Sequence, residues 1–245
     1  MIRILLLLPA LTLVLFARGQ SGRFTLRNAS GVARAGDPFV IPRQSLTAIC
    51  KIPGGDEGKV PVLSADGKEI PCQTDDLNGD GLWDELVFEV TMDRNASLPY
   101  RIRWTPASKA PVFPALTRVR LGVLDKGSGK YNQVKEEIRP DGWTKELHSG
   151  HYQLEGPAWE NEKVAFRNFF DFRNTTTILA KVNGNLILDT LTTAGALPGK
   201  LHSWGMVFAD SLPSLGAGGF AFVHEGRPLP LRDTESAYFR LISDG

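Results

Sequence analysis

The apolar positions of this chain come in short alternating runs. Between residues 22 and 105 such runs fall at Ser45 to Ile52, Lys59 to Leu63, Leu86 to Val90 and Tyr100 to Trp104. The segment Leu86-Val87-Phe88-Glu89-Val90 places Leu86, Phe88 and Val90 on one face, the period-two signature of a half-buried strand. Gly, Pro and Asp separate the runs, which predicts a small β-sandwich. The stretch Pro106 to Pro114 carries three prolines and reads as a linker. A second β region begins near Thr117.

The clearest pattern of that second region is Lys163 to Arg173, KVAFRNFFDFR. Alternation puts Val164, Phe166, Asn168, Phe170 and Phe172 on one face, apolar but for Asn168, and Arg167, Asp171 and Arg173 on the other. Thr177 to Val182 and Leu186 to Leu191 flank Asn183-Gly184-Asn185, a hairpin signal. Further strands are expected at Trp204 to Phe208, Gly219 to His224 and Ala237 to Ile242. The last one runs into Ser243-Asp244-Gly245, an ordinary turn toward another strand. That strand is expected either to be an edge strand with a frayed tail or to mark a second β domain that is incomplete at its C-terminal end. No long amphipathic helix and no internal repeat is evident.

The N-terminus changes the picture of where the protein works. Arg3, the apolar run Ile4 to Phe16, and the small residues Ala17 and Gly19 read as a signal peptide over residues 1–19. The run is shorter than the roughly 20 residues a membrane-spanning helix needs. Export to the periplasm or medium is expected, without stable membrane insertion. The chain carries 28 Lys+Arg and 27 Asp+Glu, a net charge of +1. Losing Arg3 and Arg18 with the leader takes that to −1. Near-neutrality gives no electrostatic reason to expect a nucleic-acid partner. Export permits a disulfide. Cys50 and Cys72 read equally well as a pair or as two separate thiols.

The most specific local motif is DLNGDGLWDE, residues 76–85. Asp76, Asn78, Asp80 and Asp84, with the Leu82 carbonyl, present oxygens around one point, and Gly81 permits the sharp turn. Calcium takes six to eight such ligands. Position 12 of an EF-hand loop would be Val87, so the loop is of a shorter kind, found between β-strands. A structural calcium is the expectation, against a metal-free Asx-rich turn.

Chemistry-bearing residues are concentrated in the second region. His148, His151 and Glu155 form HxxHxxxE, but outside a helix this spacing does not bring two histidines together. Trp159 could stack on a sugar ring, with Asn161, Arg173, Asn174 and Lys181 binding hydroxyls or a uronate carboxylate, and Trp204 as a second platform. His202 is the best acid/base candidate because its ordinary pKa lies near neutrality. The Gly-rich run Ser214 to Gly219 lacks the features of a P-loop, and GxSxG and HExxH motifs are absent.

Taken in order, QTDDLNGDGLWDELVF (Gln73 to Phe88), EGPAWENEKVAFRNFFDFRN (Glu155 to Asn174), Lys181, LHSWGM (Leu201 to Met206) and SLGAGG resemble the bacterial exported family catalogued as domain of unknown function 4861. The resemblance runs from about residue 22 to the last residue. It implies an all-β fold: a small sandwich, then a larger domain like the β-supersandwich of galactose mutarotase. It also implies a role in polysaccharide degradation, with longer relatives. The expected layout is a signal peptide (1–19), a β-sandwich (20–105), a linker (106–116) and a truncated supersandwich (117–245). Two positions depart from the family: Val207 where Asp is common, and Leu201 where Tyr is common.

Three functional expectations follow. The first is an enzyme acting on an acidic polysaccharide or oligosaccharide. A lyase would use Arg167 or Arg173 to neutralise the uronate, and His202 or Tyr152 as base. A hydrolase would pair Glu160 with Asp171 or Asp189, about 5–10 Å apart. The second is a non-catalytic glycan-binding protein using Trp159 and Trp204. The third is an inactive, shortened homologue.

Overall fold

The computed structural model describes residues 11–16, 21–54, 58–140, 143, 150–196, 198–209, 221–230 and 236–243. It is an all-β structure of antiparallel sheets that divides into two compact units, Met1–Pro114 and Ala115–Gly245.

The first unit is a sandwich. Its strands are β1 (Leu11–Phe16), β2 (Ser21–Asn28), β3 (Arg34–Pro42), β4 (Lys59–Ala65), β5 (Lys68–Ile70), β6 (Gln73–Asp75), β7 (Glu85–Met92) and β8 (Ser97–Pro106). One sheet has the order β1-β2-β8-β4-β5 and the other β3-β7-β6. Alternation explains the core. Phe24 and Leu26 of β2, Leu63 of β4, and Tyr100 and Ile102 of β8 turn inward from one sheet. Leu86, Phe88, Val90 and Met92 of β7 meet them from the other, as period two requires. The rings interlock: Phe24 stacks on Tyr100 at 5.3 Å, and Phe88 lies 5.3 Å from Tyr100 and 5.4 Å from Phe39.

The run expected as a strand at Ser45 to Ile52 is instead a helix, α1 (Arg43–Ile49). Leu46, Ala48 and Cys50 alternate, but Leu46 and Ile49 also lie three apart. The helical spacing prevails, with Leu46 and Ile49 fully buried and Ala48 exposed. Cys50 and Cys72 are free thiols, and burial pushes both above the usual cysteine range.

The second unit holds β9 (Thr117–Arg120), β10 (Gly122–Asp125), β11 (Lys130–Gln133), β12 (Glu136–Ile138), β13 (Ala158–Asn161), β14 (Val164–Asn168), β15 (Thr176–Lys181), β16 (Gly205–Ala209), β17 (Ala221–His224), β18 (Arg227–Pro230) and β19 (Tyr238–Arg240). Its main sheet has the order β16-β15-β14-β13-β9, and three strand pairs, β10-β11, β12-β19 and β17-β18, accompany it.

Two sequence expectations change here. The long strand expected through Arg173 ends at Asn168. The chain turns over residues 169–175. The Phe169 N–H donates to the Thr175 carbonyl and the Asp171 carboxylate accepts from the Arg173 N–H, while Asn174 takes a left-handed conformation. The Asn183-Gly184 hairpin does not form, because β15 pairs with β16. The backbone of Leu186 to Leu191 runs as a loop instead, and Ile187, Leu188 and Leu191 pack on the sheet.

The faces of the sheet are inverted relative to the pattern read from the sequence. Ala165 and Arg167 point inward on β14, whereas Val164, Phe166 and Asn168 are half-buried on the outside. The inner face also carries Glu160 and Lys181, whose mutual pairing makes their burial tolerable.

Candidate functional site

The inner face is built by one carboxylate. Glu160 on β13 accepts from Lys181 Nζ at 2.7 Å through one oxygen. Through the other it accepts the backbone N–H groups of Ile187 and Leu188, at 2.7 and 2.8 Å. Lys181 also donates to the Asn161 carbonyl at 2.7 Å. Both ionic side chains are 0% exposed. These bonds hold the loop after β15 down over the sheet.

Gln153 works beside them, and sequence reasoning missed it. Its side-chain NH2 donates to the Leu188 and Leu191 carbonyls at 3.0 and 2.7 Å, and its carbonyl oxygen accepts from Arg120. No motif marks an isolated glutamine in HYQLE. Asp189, at the crest of the same loop, pairs with Arg118 at 3.3 Å and is half-exposed.

A second polar cluster gathers at the turn after β14. Arg173 is buried, pairs with Asp171 through two of its nitrogens, and reaches Glu155 at 3.1 Å. Its guanidinium lies 3.6 Å from the centre of the Phe169 ring, and that of Arg167 lies 4.7 Å from the same ring. Gly156 makes this packing possible: a Cβ there would run into the Asn168 carbonyl oxygen and lie 2.7 Å from the Phe170 nitrogen.

Tyr152 is buried among Trp143, His151 and Phe170, and its hydroxyl donates to Glu137 at 3.1 Å. Burial, with the Glu137 charge beside it, pushes its pKa far above the usual phenol range. His202 stacks on Trp204 at 5.5 Å in a tight turn closed by His202 and Gly205. Its Nε2 is buried without a hydrogen-bond partner among the described residues. Trp204 packs against the core cluster of the unit, and its ring N–H donates to the Gly195 carbonyl. The His202 ring covers it as well, so it offers no open platform.

On the outer face, Trp159 is 40% exposed and stacks on Phe166, centroids 5.6 Å apart and planes 19° from parallel. Asn161 closes the β13–β14 turn by accepting from the Lys163 and Val164 N–H groups. Asn174 donates its N–H to the Asp171 carbonyl. The structure thus unites Glu160 with Lys181, and Asp171 with Arg173. It sets Trp159 and Asn161 on the opposite face of the sheet from Glu160 and Lys181. His148 and the Ser214 to Gly219 run lie outside the described residues.

In the first unit, residues 76–84 fold into an Asx-rich loop. Asp76 accepts from the Gly79 and Gly81 N–H groups, Asn78 from Asp80, Asp80 from Leu82, and Asp84 from Leu77. Among the described residues, no group of three or more His, Cys, Asp or Glu side chains converges as a metal cluster. A cavity of about 790 Å³ beside α1, lined by Arg43, Gln44, Thr47, Cys50, Lys51 and Ile52, contains none of the candidate residues.

The model of the domain of unknown function DUF4861 matches residues 26–245, nearly the whole chain. The chain belongs to the DUF4861 family. No curated protein and no solved structure matches it. Among the described residues, no helix is long and apolar enough to cross a membrane.

Proposed function

We propose that this chain is an exported glycan-binding β protein with a part in polysaccharide degradation, and that it does not cleave the glycan with Glu160, Asp171, Arg173, Lys181 or Tyr152. The observation that carries this reading is the contrast between Trp159 and those groups. Trp159 is exposed and backed by Phe166. Glu160, Lys181, Asp171 and Arg173 are buried and internally paired. A general acid or base must come within hydrogen-bond reach of a substrate proton, and a buried, fully coordinated carboxylate does not. Burial also keeps the Tyr152 phenol protonated and unfit as a base. The arginines that an acidic glycan would need are turned inward. The leader at residues 1–19 supports export.

A catalytic reading keeps one observation in its favour, the buried and unpartnered Nε2 of His202. A glycan panel separates the two. Binding is measured by calorimetry, and the same mixtures are assayed for unsaturated-uronate absorbance and for new reducing ends. Binding with neither signal is the expected result. Either signal, abolished by His202→Ala, would establish the enzyme reading instead.

The 76–84 loop is proposed to take up calcium. Its donors are all oxygens, and a carboxylate oxygen that accepts one N–H keeps a second lone pair. Asp76, Asn78, Asp80, Asp84 and the Leu82 carbonyl would hold the ion in a structural role. Calcium at about ten times its Kd should raise the melting temperature by about 5–10 °C. Chelation should reverse the gain, and Asp80→Ala should remove it. An unchanged melting temperature would leave the loop as a metal-free turn.

A further inference from the structure

The outer face of the main sheet follows from its register. One row across the strands is Val119, Trp159, Phe166 and Ile178, ending at the β15–β16 bulge, where Phe208 is 71% exposed. The next row is Thr117, Asn161, Val164, Ala180 and Met206. On the other side Asn168 and Thr176 are paired. None of these positions is ionisable, although the inner face of the same strands carries Arg118, Arg120, Glu160, Arg167 and Lys181. An aromatic and aliphatic row is therefore bordered by Thr117 and Asn161 at its β9–β13 end on one side, where Val164, Ala180 and Met206 continue it as apolar, and by the Asn168 amide on the other, with Thr176 buried beside it. Asn161 uses its carbonyl oxygen on the β13–β14 turn, which leaves its NH2 to donate. Asn168 donates to Thr176, which leaves its carbonyl oxygen to accept.

We propose that this face is the glycan platform and that its ligand is a neutral chain lying across the strands from Trp159 to Phe208. The inference rests on the glycan-binding reading and names the ligand class for it. A pyranose has an apolar C–H face, which suits an aromatic row, and hydroxyls at its rim, which suit flanking amides and hydroxyls. A uronate would bring a carboxylate to rows that hold no cation among the described residues, the exposed Lys163 lying off them in the β13–β14 turn, and desolvating that charge is costly. From β13 to β16 is three strand spacings, roughly 14 Å, enough for about three pyranose rings. The other occupant such a face suits is a second copy of the chain, because exposed aromatic and Met side chains also mark protein interfaces. The absence of charged side chains from these rows among the described residues, and the amides of Asn161 and Asn168 beside the rings, favour the sugar.

The test uses neutral glucan and mannan oligosaccharides of increasing length beside uronate oligomers, with binding by calorimetry and association state by sedimentation. Affinity should rise up to about three rings and then level off, should favour the neutral series, and should not respond to salt. Trp159→Ala and Phe208→Ala should each weaken binding roughly tenfold with the melting temperature unchanged. Phe208 is exposed enough that its truncation keeps the test valid if Trp159→Ala does not fold. Binding that survives both variants, or a salt-dependent preference for uronates, overturns the platform while leaving the glycan reading intact. A dimer that these variants dissociate also overturns it, by assigning the face to a second copy. If no glycan of either kind binds, both proposals fail.

Discussion

Replacing Glu160 with alanine should destabilise the second unit by about 3–5 kcal/mol, because it leaves Lys181 buried without its counter-charge. The Lys181 side chain is fully enclosed, and its remaining bond is to the Asn161 carbonyl. The same change orphans the Ile187 and Leu188 N–H groups, each with a desolvation cost of about 1–3 kcal/mol. The loop that presses Ile187, Leu188 and Leu191 onto the sheet should detach before the sheet unfolds. Urea denaturation gives the total loss, and hydrogen exchange at the Ile187 and Leu188 amides reports the loop. The double variant Glu160→Leu with Lys181→Met should recover much of the stability, since apolar groups of similar size often replace a buried ion pair at little cost. A single variant as stable as the parent would remove the case for Glu160 as a structural clamp. It would return Glu160 to the list of groups free to do chemistry.

Gly205→Ala should have an effect of similar size by a different cause. Gly205 lies at φ 143° and opposes Lys181 in the β15–β16 ladder. A Cβ there would collide with the Ala180 carbonyl oxygen and come within 2.9 Å of the Ala180 carbonyl carbon. The backbone must move, and the added strain of the dihedral is about 1–3 kcal/mol by itself. The expected total is about 3 kcal/mol or more, with β16 displaced from the sheet edge. Gly184→Ala is the control: its nearest contact would be an ordinary 3.7 Å from the Glu162 Cβ, and it should be nearly silent. Comparing the two melting temperatures checks the claim. Equal values would mean that β16 is not anchored as described.

How far the sequence can be read varies with the physics at each place. Leu86, Phe88 and Val90 were legible because one sheet face meets apolar partners and the other does not, so period two maps directly onto burial. Leu46 and Ile49 were not, since in RQSLTAI and the Cys50 that follows the few apolar residues satisfy both periods until their neighbours choose. The Asn183-Gly184 signal describes a local preference, and it yields to Glu160, which offers the Ile187 and Leu188 N–H groups a buried acceptor 27 and 28 residues away. The candidate site was legible as a set of residue types. Its sidedness was not. Alternation puts Arg167 opposite the Phe row without saying which face meets the core, and the ring of Phe169, the local Asp171–Arg173 pair and the Glu160–Lys181 pair between strands are what let that face turn inward. Phe166 belongs to the apolar alternation, and it backs the exposed Trp159.

The order of the first sheet bears on what the proposed export would do to the protein. Leu11–Phe16 forms the outermost strand, paired along its length with Ser21–Asn28. Those six residues fall within the stretch 1–19 that reads as a leader. If export removes the leader after Gly19, a row of main-chain donors and acceptors opens along β2, the kind of surface on which foreign strands grow. Along β2, Phe24 and Leu26 are turned into the core, and the side chains left outward include Arg23 and Arg27. Two like charges repeated along an open edge repel a second copy that tries to add itself in register. The arginines next to the cleavage point would then act as guards against fibrous assembly, a duty that begins only when the leader is gone.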